Sequence, residues 1–221
     1  MSLKNYLKQA LNEVGTPENS TPMEAYMKHH FSFYGVRSAD RKAILSSGLQ
    51  KFGKPAIQEV SSLAHQLWNE DYREIHYCCQ EMLHRIKYWE EETSIQLFKW
   101  LITTNSWWDS IDFLAPNLVG SYFQEYPENR KRILPVWNKS DNMWLVRSTI
   151  IYQLKYKAKT DFEIMTQMIL PHTGSKEFFI QKAIGWALRE YAKTNPQEVK
   201  QFVEAKELAP LSKREALKHF K

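Results

Sequence analysis

Apolar residues recur along the chain at intervals of three and four, the spacing that places them on one face of an α-helix. The stretch containing Val60, Ala64 and Leu67 is one example. Alternating apolar and polar runs joined by hairpin turns, which would indicate β-strands, are missing from the sequence. The pattern therefore predicts an all-α protein.

Capping residues place several helix starts. A side-chain oxygen at the N-cap and a glutamate three residues later satisfy backbone amides that have no partner in the first helical turn. Four positions carry this pair of signals, two of them with a proline directly after the cap. We predict helix starts at Thr21, Asp71, Asn195 and Ser212.

A spacing of 35 residues organises much of the chain. Four segments with polar entries start at residues 71, 106, 141 and 176, and each is followed by a second helical stretch. This spacing is typical of helical hairpins that stack into a solenoid. With 221 residues, the chain is also long enough for one substantial core. We therefore predict a curved α-solenoid that forms a single domain over residues 1–221.

The repeat brings four polar or amphipathic residues into equivalent positions. The seventh residues of the four segments are Tyr77, Asp112, Arg147 and Lys182. Equivalent positions of successive repeats lie side by side, so Asp112 should neighbour Arg147. Trp108 and Trp186 each stand four residues from a member of this row, on the same helical face. We predict one concave strip that holds an acid, two cations and two tryptophans.

A structural interpretation of the same residues stays open at this point. A tryptophan at helical spacing is more often part of a core than of a ligand site. An aspartate and an arginine on adjacent helices are more often a salt bridge than catalytic groups. The combination of an acid with flanking aromatic and cationic residues is what favours a site for a cation.

Composition limits the classes of function. The 30 Lys and Arg residues against 25 Asp and Glu give a formal charge of +5, which suits a polyanion such as nucleic acid. The two cysteines are adjacent, so they provide neither a disulfide framework nor a spaced zinc motif. The sequence also lacks a glycine-rich phosphate loop and a serine triad. We expect no metal and no cofactor.

Hydropathy predicts a soluble protein. The mean hydropathy is −0.55, and no apolar run approaches the roughly 20 residues that span a bilayer. The first residues are amphipathic and lack the apolar centre of a signal peptide. We expect a cytoplasmic protein that does not contact a membrane.

Long stretches of the sequence resemble the AlkD-type DNA glycosylases, a bacterial family of alkylpurine repair enzymes built from HEAT-like repeats. The similarity is carried by PMEAYMKHHFSFYG (22–35), SWWDSID (106–112), SDNMWLVR (140–147), SKEFFIQKAIGWALREYAKTNP (175–196) and ELAPLSKREALKH (207–219). These matches occur in order through most of the chain.

The resemblance implies roles for individual residues. Asp112 would be the catalytic acid, with Trp108 and Trp186 as aromatic walls beside it. Arg147 would hold the DNA backbone, and Tyr26 would line the same cleft. The chain departs from the family pattern at Arg37, where a member of the family has glutamine, and this cation would either strengthen the contact with the DNA backbone or alter the lesion preference.

Lysines are expected to assist DNA binding. Lys182 would neutralise a phosphate, with Lys155, Lys157 and Lys159 as weaker helpers. For each of these three lysines taken alone, a solvated helix end is favoured over a direct DNA contact. Lys182 is also the one candidate for Schiff-base lyase chemistry, to which the matched motifs assign no lysine.

The resulting expectation is a monofunctional glycosylase that releases N3- and N7-alkylated purines from duplex DNA and leaves an abasic site. We expect it to act as a monomer without an obligate protein partner, associated with the bacterial nucleoid during repair. A non-catalytic helical-repeat scaffold that binds nucleic acid or protein is the alternative. An RNA-binding scaffold is a third possibility, which nothing in the sequence favours.

Overall fold

The computed structural model describes residues 1–220 and shows helices without a β-strand in that range. Ser32 and Tyr72 form an isolated β-bridge, which does not extend into a strand. The prediction of an all-α protein is confirmed.

The described chain divides into two compact units. Unit 1 spans residues 1–88 and unit 2 begins at residue 89. The helices of unit 1 are α1 Leu3–Val14, α2 Pro17–Tyr26, α3 Ser38–Phe52, α4 Ile57–Trp68 and α5 Arg73–Arg85. Those of unit 2 are α6 Ser94–Thr103, α7 Trp108–Leu114, α8 Gly120–Glu125, α9 Arg130–Asn138, α10 Met143–Ile151, α11 Phe162–Ile169, α12 Phe178–Ala192, α13 Pro196–Ala205 and α14 Pro210–Ala216. A single domain over the whole chain stays a prediction.

The helix starts reproduce the spacing found in the sequence. Helices α5, α7, α10 and α12 begin at residues 73, 108, 143 and 178, which are intervals of 35 residues. Each of these helices starts two residues after the polar entry of its predicted segment. Within unit 2, α10 packs against both α7 and α12. The helical-repeat architecture is therefore confirmed, and it places the Asp112 helix beside the Arg147 helix.

One of the four predicted caps is confirmed. The Asn195 side chain accepts a hydrogen bond from the Glu198 amide at 3.2 Å, and Pro196 is the first residue of α13. The Glu198 carboxylate also accepts a hydrogen bond from the Asn195 side-chain amide at 2.9 Å. Cap and glutamate therefore satisfy each other at this helix start.

The other three predicted caps are wrong, because tertiary contacts or an earlier proline compete for the same groups. Helix α2 already starts at Pro17, so Thr21 lies inside it. Helix α14 starts at Pro210, and the Ser212 hydroxyl donates to the Gln181 carbonyl at 3.0 Å. Helix α5 starts at Arg73, and its N-cap is Tyr72 rather than Asp71. The Glu74 carboxylate, predicted to complete the cap, instead accepts a hydrogen bond from the Gly35 amide in a distant loop.

A π-helical turn at Ala115–Val119 joins α7 to α8. Pro116 lies in this turn and has no amide hydrogen to donate, which accounts for the local departure from α-helical bonding. The side chain of Asn117 donates to the Phe113 carbonyl at 2.8 Å and so supplies a substitute bond. The irregular turn follows directly on the helix that carries Asp112.

The close packing of α12 on α14 depends on a residue without a side chain. A Cβ atom at Gly185 would lie 2.4 Å from the Cβ atom of Glu215 and 3.0 Å from the Ser212 carbonyl oxygen. We expect Gly185→Ala to lower the free energy of unfolding by roughly 1–3 kcal/mol. A Cβ at Gly174 would meet nothing within 4 Å, so Gly174→Ala is the control, with an expected change within about 0.5 kcal/mol. Urea denaturation compares the two variants, and equal midpoints would contradict the packing argument.

Candidate functional site

Asp112 and Arg147 form a close ion pair between α7 and α10. The Arg147 Nε atom lies 2.9 Å from Asp112 Oδ1, and Nη2 lies 2.7 Å from the same oxygen. The side chain of Arg147 is 4% exposed and that of Asp112 is 20% exposed. Both donors end on Oδ1, and within residues 1–220 no hydrogen bond to the second carboxylate oxygen, Oδ2, is found. The predicted neighbourhood of the two residues is confirmed.

Arg147 is held further by α12. Its Nη1 atom donates a hydrogen bond to the backbone carbonyl of Phe179, and its guanidinium carbon lies 6.0 Å from the centre of the Phe179 ring. The guanidinium is thus committed to Asp112 and to the start of α12. A direct contact of Arg147 with the DNA backbone, as the resemblance implies, stays a prediction.

An aromatic cluster is built around Phe179, the residue that contacts Arg147. The rings of Trp107 and Trp144 pack edge to face with centroids 5.8 Å apart. Phe179 completes the cluster, 5.3 Å from Trp107 and 5.1 Å from Trp144. None of these three residues was singled out by the sequence pattern. Tryptophan at helical spacing was the available signal, but it does not show which ring meets Arg147.

The two predicted tryptophans are both half-buried. Trp108 is the first residue of α7 and precedes Asp112 by one helical turn, so the two side chains share a face. Trp186 lies on α12, seven residues after Phe179 and therefore on the same face as that residue. A role of these indoles as walls of a cation site stays a prediction.

The surroundings of Asp112 change the pKa of its carboxyl group. Burial raises the pKa of Asp112 above its ordinary value, and the positive charge and hydrogen bonds of Arg147 oppose that rise. The Asp109 carboxylate, one turn earlier on α7, adds to the rise in pKa. The Arg147 guanidinium donates two hydrogen bonds to one Asp112 oxygen, and its positive charge favours the ionised form of this carboxyl group. A buried anion with one uncommitted oxygen can stabilise a positive charge close to it.

Lys182 pairs with an acid on α14. Its Nζ atom lies 3.0 Å from Glu215 Oε1, and the lysine side chain is 38% exposed. Glu215 also accepts from Arg189 at 2.6 Å, and the hydrogen bond from Lys182 lowers the pKa of this glutamate. A phosphate would have to compete with Glu215 for Lys182. The pattern did not reveal Glu215 as a partner, because the contact joins helices outside the 35-residue register.

Two predicted DNA contacts lie in unit 1. Tyr26 is the last residue of α2 and is 67% exposed. Arg37 is exposed and occupies the N-cap position of α3. Neither residue belongs to the unit that carries Asp112.

The three assisting lysines differ in their surroundings. Lys155 donates to the Asn117 side-chain oxygen in the π-helical turn. Lys157 and Lys159 are exposed in a short 3₁₀ turn that follows. Their interpretation as a solvated segment therefore stays open.

Neither a metal site nor a membrane-spanning helix is found in the part of the chain that the structure describes. Within residues 1–220, no group of three or more His, Cys, Asp or Glu side chains is arranged to hold a metal ion. No helix in the same range is long and apolar enough to cross a membrane.

Comparison with known proteins identifies the family. A family model described as DNA alkylation repair enzyme matches residues 7–220. A search of the curated proteins gave no significant match. A solved structure described as a predicted DNA alkylation repair enzyme from Enterococcus faecalis is 30% identical, with a TM-score of 0.86. The match covers 93% of this chain and 96% of that one.

A more distant structure shows the fold alone. AlkD2 from Streptococcus mutans is 14% identical with a TM-score of 0.66, and the match covers 99% of each chain. The resemblance noted in the sequence is thus confirmed at the level of the family. The match over residues 7–220 and the 30% identical structure together show that this chain belongs to the DNA alkylation repair enzyme family.

Proposed function

We propose that this protein is a monofunctional DNA glycosylase that releases N3- and N7-alkylated purines, such as 3-methyladenine and 7-methylguanine, from duplex DNA. The observation that carries the proposal is the Asp112 carboxylate, which Arg147 holds through Oδ1, so that Oδ2 would be the oxygen that meets the substrate. Membership of the DNA alkylation repair enzyme family supports alkylated DNA as the substrate.

The chemistry of the lesion explains why one carboxylate is sufficient. Glycoside hydrolysis ordinarily uses one acid to protonate the leaving group and a second carboxylate to stabilise or attack the sugar. Alkylation at N3 or N7 already places a positive charge on the purine, so the base leaves without protonation. The remaining task is to stabilise the oxocarbenium-like deoxyribose, which suits Asp112.

The proposed reaction consists of cleavage of the glycosidic bond and attack of water on the sugar. The bond between C1′ and the purine nitrogen breaks, and its electron pair goes to the departing base. A water molecule oriented by Asp112 Oδ2 attacks C1′, and its proton passes to the carboxylate or to solvent. The products are the free alkylated base and an abasic site.

The tryptophans supply preference for cationic lesions in this proposal. The face of an indole attracts a nearby cation by roughly 0.5–2 kcal/mol. Trp108 shares its helical face with Asp112, and Trp186 shares one with Phe179, whose carbonyl binds Arg147. Discrimination would depend on the charge of the lesion, because an unmodified purine lacks that attraction.

DNA binding by unit 1 would use the exposed side chains of Tyr26 and Arg37. In unit 2, Lys182 would contribute only after exchanging its contact with Glu215 for a phosphate. Contacts of this kind position the duplex without reading its sequence. Binding should therefore weaken steeply as salt is added.

Incubation with methylated duplex DNA tests the proposal. We expect the released bases, identified by chromatography and mass spectrometry, to be 3-methyladenine and 7-methylguanine, with abasic sites left in the duplex. Recovery of intact methylated DNA after extended incubation with folded protein would rule out the glycosylase.

Borohydride trapping tests the absence of lyase chemistry. The Lys182 amine is engaged by the Glu215 carboxylate, so it would have to leave this partner before it could attack the sugar carbon. We expect no covalent adduct between the protein and DNA when borohydride is added during the reaction. A trapped adduct that disappears in Lys182→Gln would show that the enzyme is bifunctional.

The scaffold alternative also has an observation in its favour. Asp112 and Arg147 satisfy each other in the way of a structural salt bridge, and Lys182 is similarly occupied by Glu215. A scaffold predicts DNA binding without base release, so the same incubation decides between the two functions.

A further inference from the structure

The segment of residues 31–37, here called the Arg37 loop, lies between α2 and α3 in unit 1 and leads directly into α3. Its backbone amides bond to two glutamates instead of to another strand or helix. The Phe33 amide donates to Glu24 Oε1 at 3.2 Å. The next three amides, those of residues 34, 35 and 36, donate to the Glu74 carboxylate at 3.1, 2.9 and 3.1 Å. Four consecutive amides are therefore held by carboxylates.

The start of α5 fixes the loop by further contacts. The Tyr72 ring stacks on Tyr34 with centroids 3.8 Å apart. The Arg73 guanidinium lies 3.8 Å from the centre of the Phe31 ring, and its amide donates to the Ser32 carbonyl at 2.9 Å. Tyr72, Arg73 and Glu74, at the N-terminus of α5, thus contact most of the Arg37 loop.

Burial of the Glu74 carboxylate is unfavourable in free energy. Glu74 is 1% exposed, and burial of a carboxylate without a matching charge costs free energy that several hydrogen bonds must offset. Burial raises the pKa of Glu74, while the three loop amides oppose the rise. Neutral acceptors could bind the same loop amides with a smaller desolvation penalty, so the use of a carboxylate suggests that the position of the loop matters.

The path of the loop is also fixed by Gly35. Its φ angle is +85°, in the left-handed region that favours glycine. A Cβ atom at this residue would lie 2.2 Å from the Thr16 carbonyl oxygen. Only glycine therefore fits where the loop passes close to Thr16, and the Glu74 carboxylate binds the Gly35 amide at the same point.

Arg37 follows directly on the clamped amides. The Val36 amide is bound by Glu74, and the Arg37 carbonyl accepts the amide of Arg41 at 3.0 Å in the first turn of α3. Both flanks of the Arg37 backbone are thus immobilised, while its side chain is exposed. The guanidinium projects from a fixed point on the surface of unit 1.

We propose that Glu74 is a positioning residue for DNA binding, because its carboxylate holds the Arg37 loop so that Arg37 meets a phosphate of the duplex backbone. The inference rests on the proposed function in taking duplex DNA as the ligand. Its physical basis is preorganisation: a loop ordered during folding does not have to be ordered when the duplex binds. Glu74 itself does not contact the DNA.

A double-mutant cycle tests the proposal. Glu74→Gln is isosteric but places an amide donor against one of the loop amides, and Arg37→Gln removes the guanidinium. Glu59→Gln makes the same charge change as Glu74→Gln on an exposed position of α4 and serves as the control. Affinity for an unmodified fluorescent duplex is measured by anisotropy over a range of salt concentrations, and thermal melts confirm that each variant is folded.

The expected result is coupling between the two positions. Each single variant should bind about fivefold more weakly at low salt, with a salt slope reduced by about one phosphate contact. The double variant should bind no more weakly than Arg37→Gln, and Glu59→Gln should match the wild type. Additive losses, or wild-type affinity of folded Glu74→Gln, would overturn the proposal.

A second variant covers the case in which Glu74→Gln does not fold. Gly35→Ala displaces the Arg37 loop without changing any charge, and it should reproduce the weaker binding only where Arg37 is present. Base release from methylated duplex, measured on the same proteins, tests the glycosylase separately. Coupled binding without base release would remove the proposed enzyme activity and leave the role of Glu74 intact.

Discussion

Asp112→Asn is expected to reduce the release of 7-methylguanine from duplex DNA by about 10²–10⁴-fold. Asparagine keeps the shape of the side chain and can still accept the Arg147 hydrogen bonds through its amide oxygen. It replaces the uncommitted oxygen Oδ2 with an amide nitrogen, which offers no negative charge to the developing sugar cation. Single-turnover assays on methylated DNA measure the chemical step directly.

The neighbouring Asp109 offers a matched control. It lies on the same helix one turn earlier, and Asp109→Asn makes the same chemical change three residues from Asp112. We expect base release by Asp109→Asn to stay within about twofold of the wild type. Binding of unmodified duplex should be retained in both variants. Full base release by Asp112→Asn would show that this carboxylate has no catalytic role.

The contact between Asp112 and Arg147 could be predicted from the sequence because stacked repeats obey one geometric rule. Helices that begin every 35 residues and pack in order place equivalent positions next to each other. Equivalent positions of adjacent repeats are thereby brought close together, and the opposite charges of Asp112 and Arg147 allow these two residues to pair. The distances of 2.7 and 2.9 Å between them are a consequence of that register.

The remaining parts of the site depend on contacts without a sequence period. Arg147 binds the carbonyl of Phe179, an acceptor that every residue possesses, so no side-chain pattern could reveal it. Lys182 pairs with Glu215 across a helix packing that follows from the absence of a side chain at Gly185. Such partners are set by the path of the backbone in three dimensions.

Glu74 shows how a local signal can be correct in chemistry and wrong in partner. The spacing from Asp71 predicted that this glutamate would help to cap α5. Its carboxylate does bind backbone amides, but they belong to residues 34, 35 and 36 instead. Three hydrogen bonds from the loop amides stabilise the buried carboxylate more than the single hydrogen bond of a capping box would.

Replacement of Arg147 is expected to have the second largest effect on base release. Arg147→Gln removes the positive charge and both donors to Asp112 Oδ1, leaving the carboxylate buried without its partner. Loss of one member of such a pair costs roughly 3 kcal/mol of stability. We expect base release to fall by about 10–100-fold in protein that is still folded, because Asp112 is no longer held in one orientation. Assays well below the melting temperature separate this loss from unfolding.

The pH dependence distinguishes positioning of Asp112 from general damage to the fold. The reaction needs ionised Asp112, whose pKa is raised by burial and held down by Arg147. Without Arg147 the pKa rises further, so as pH falls the carboxylate is protonated earlier and the acid limb of the rate profile moves to higher pH.

Arg147→Lys keeps the charge but cannot provide two donors from one planar group. Its acid limb should therefore stay close to that of the wild type while its rate at neutral pH falls. Rate profiles of Arg147→Gln and wild type with the same acid limb would show that Arg147 does not act through Asp112. In that case, the ion pair would serve only to join α7 to α10.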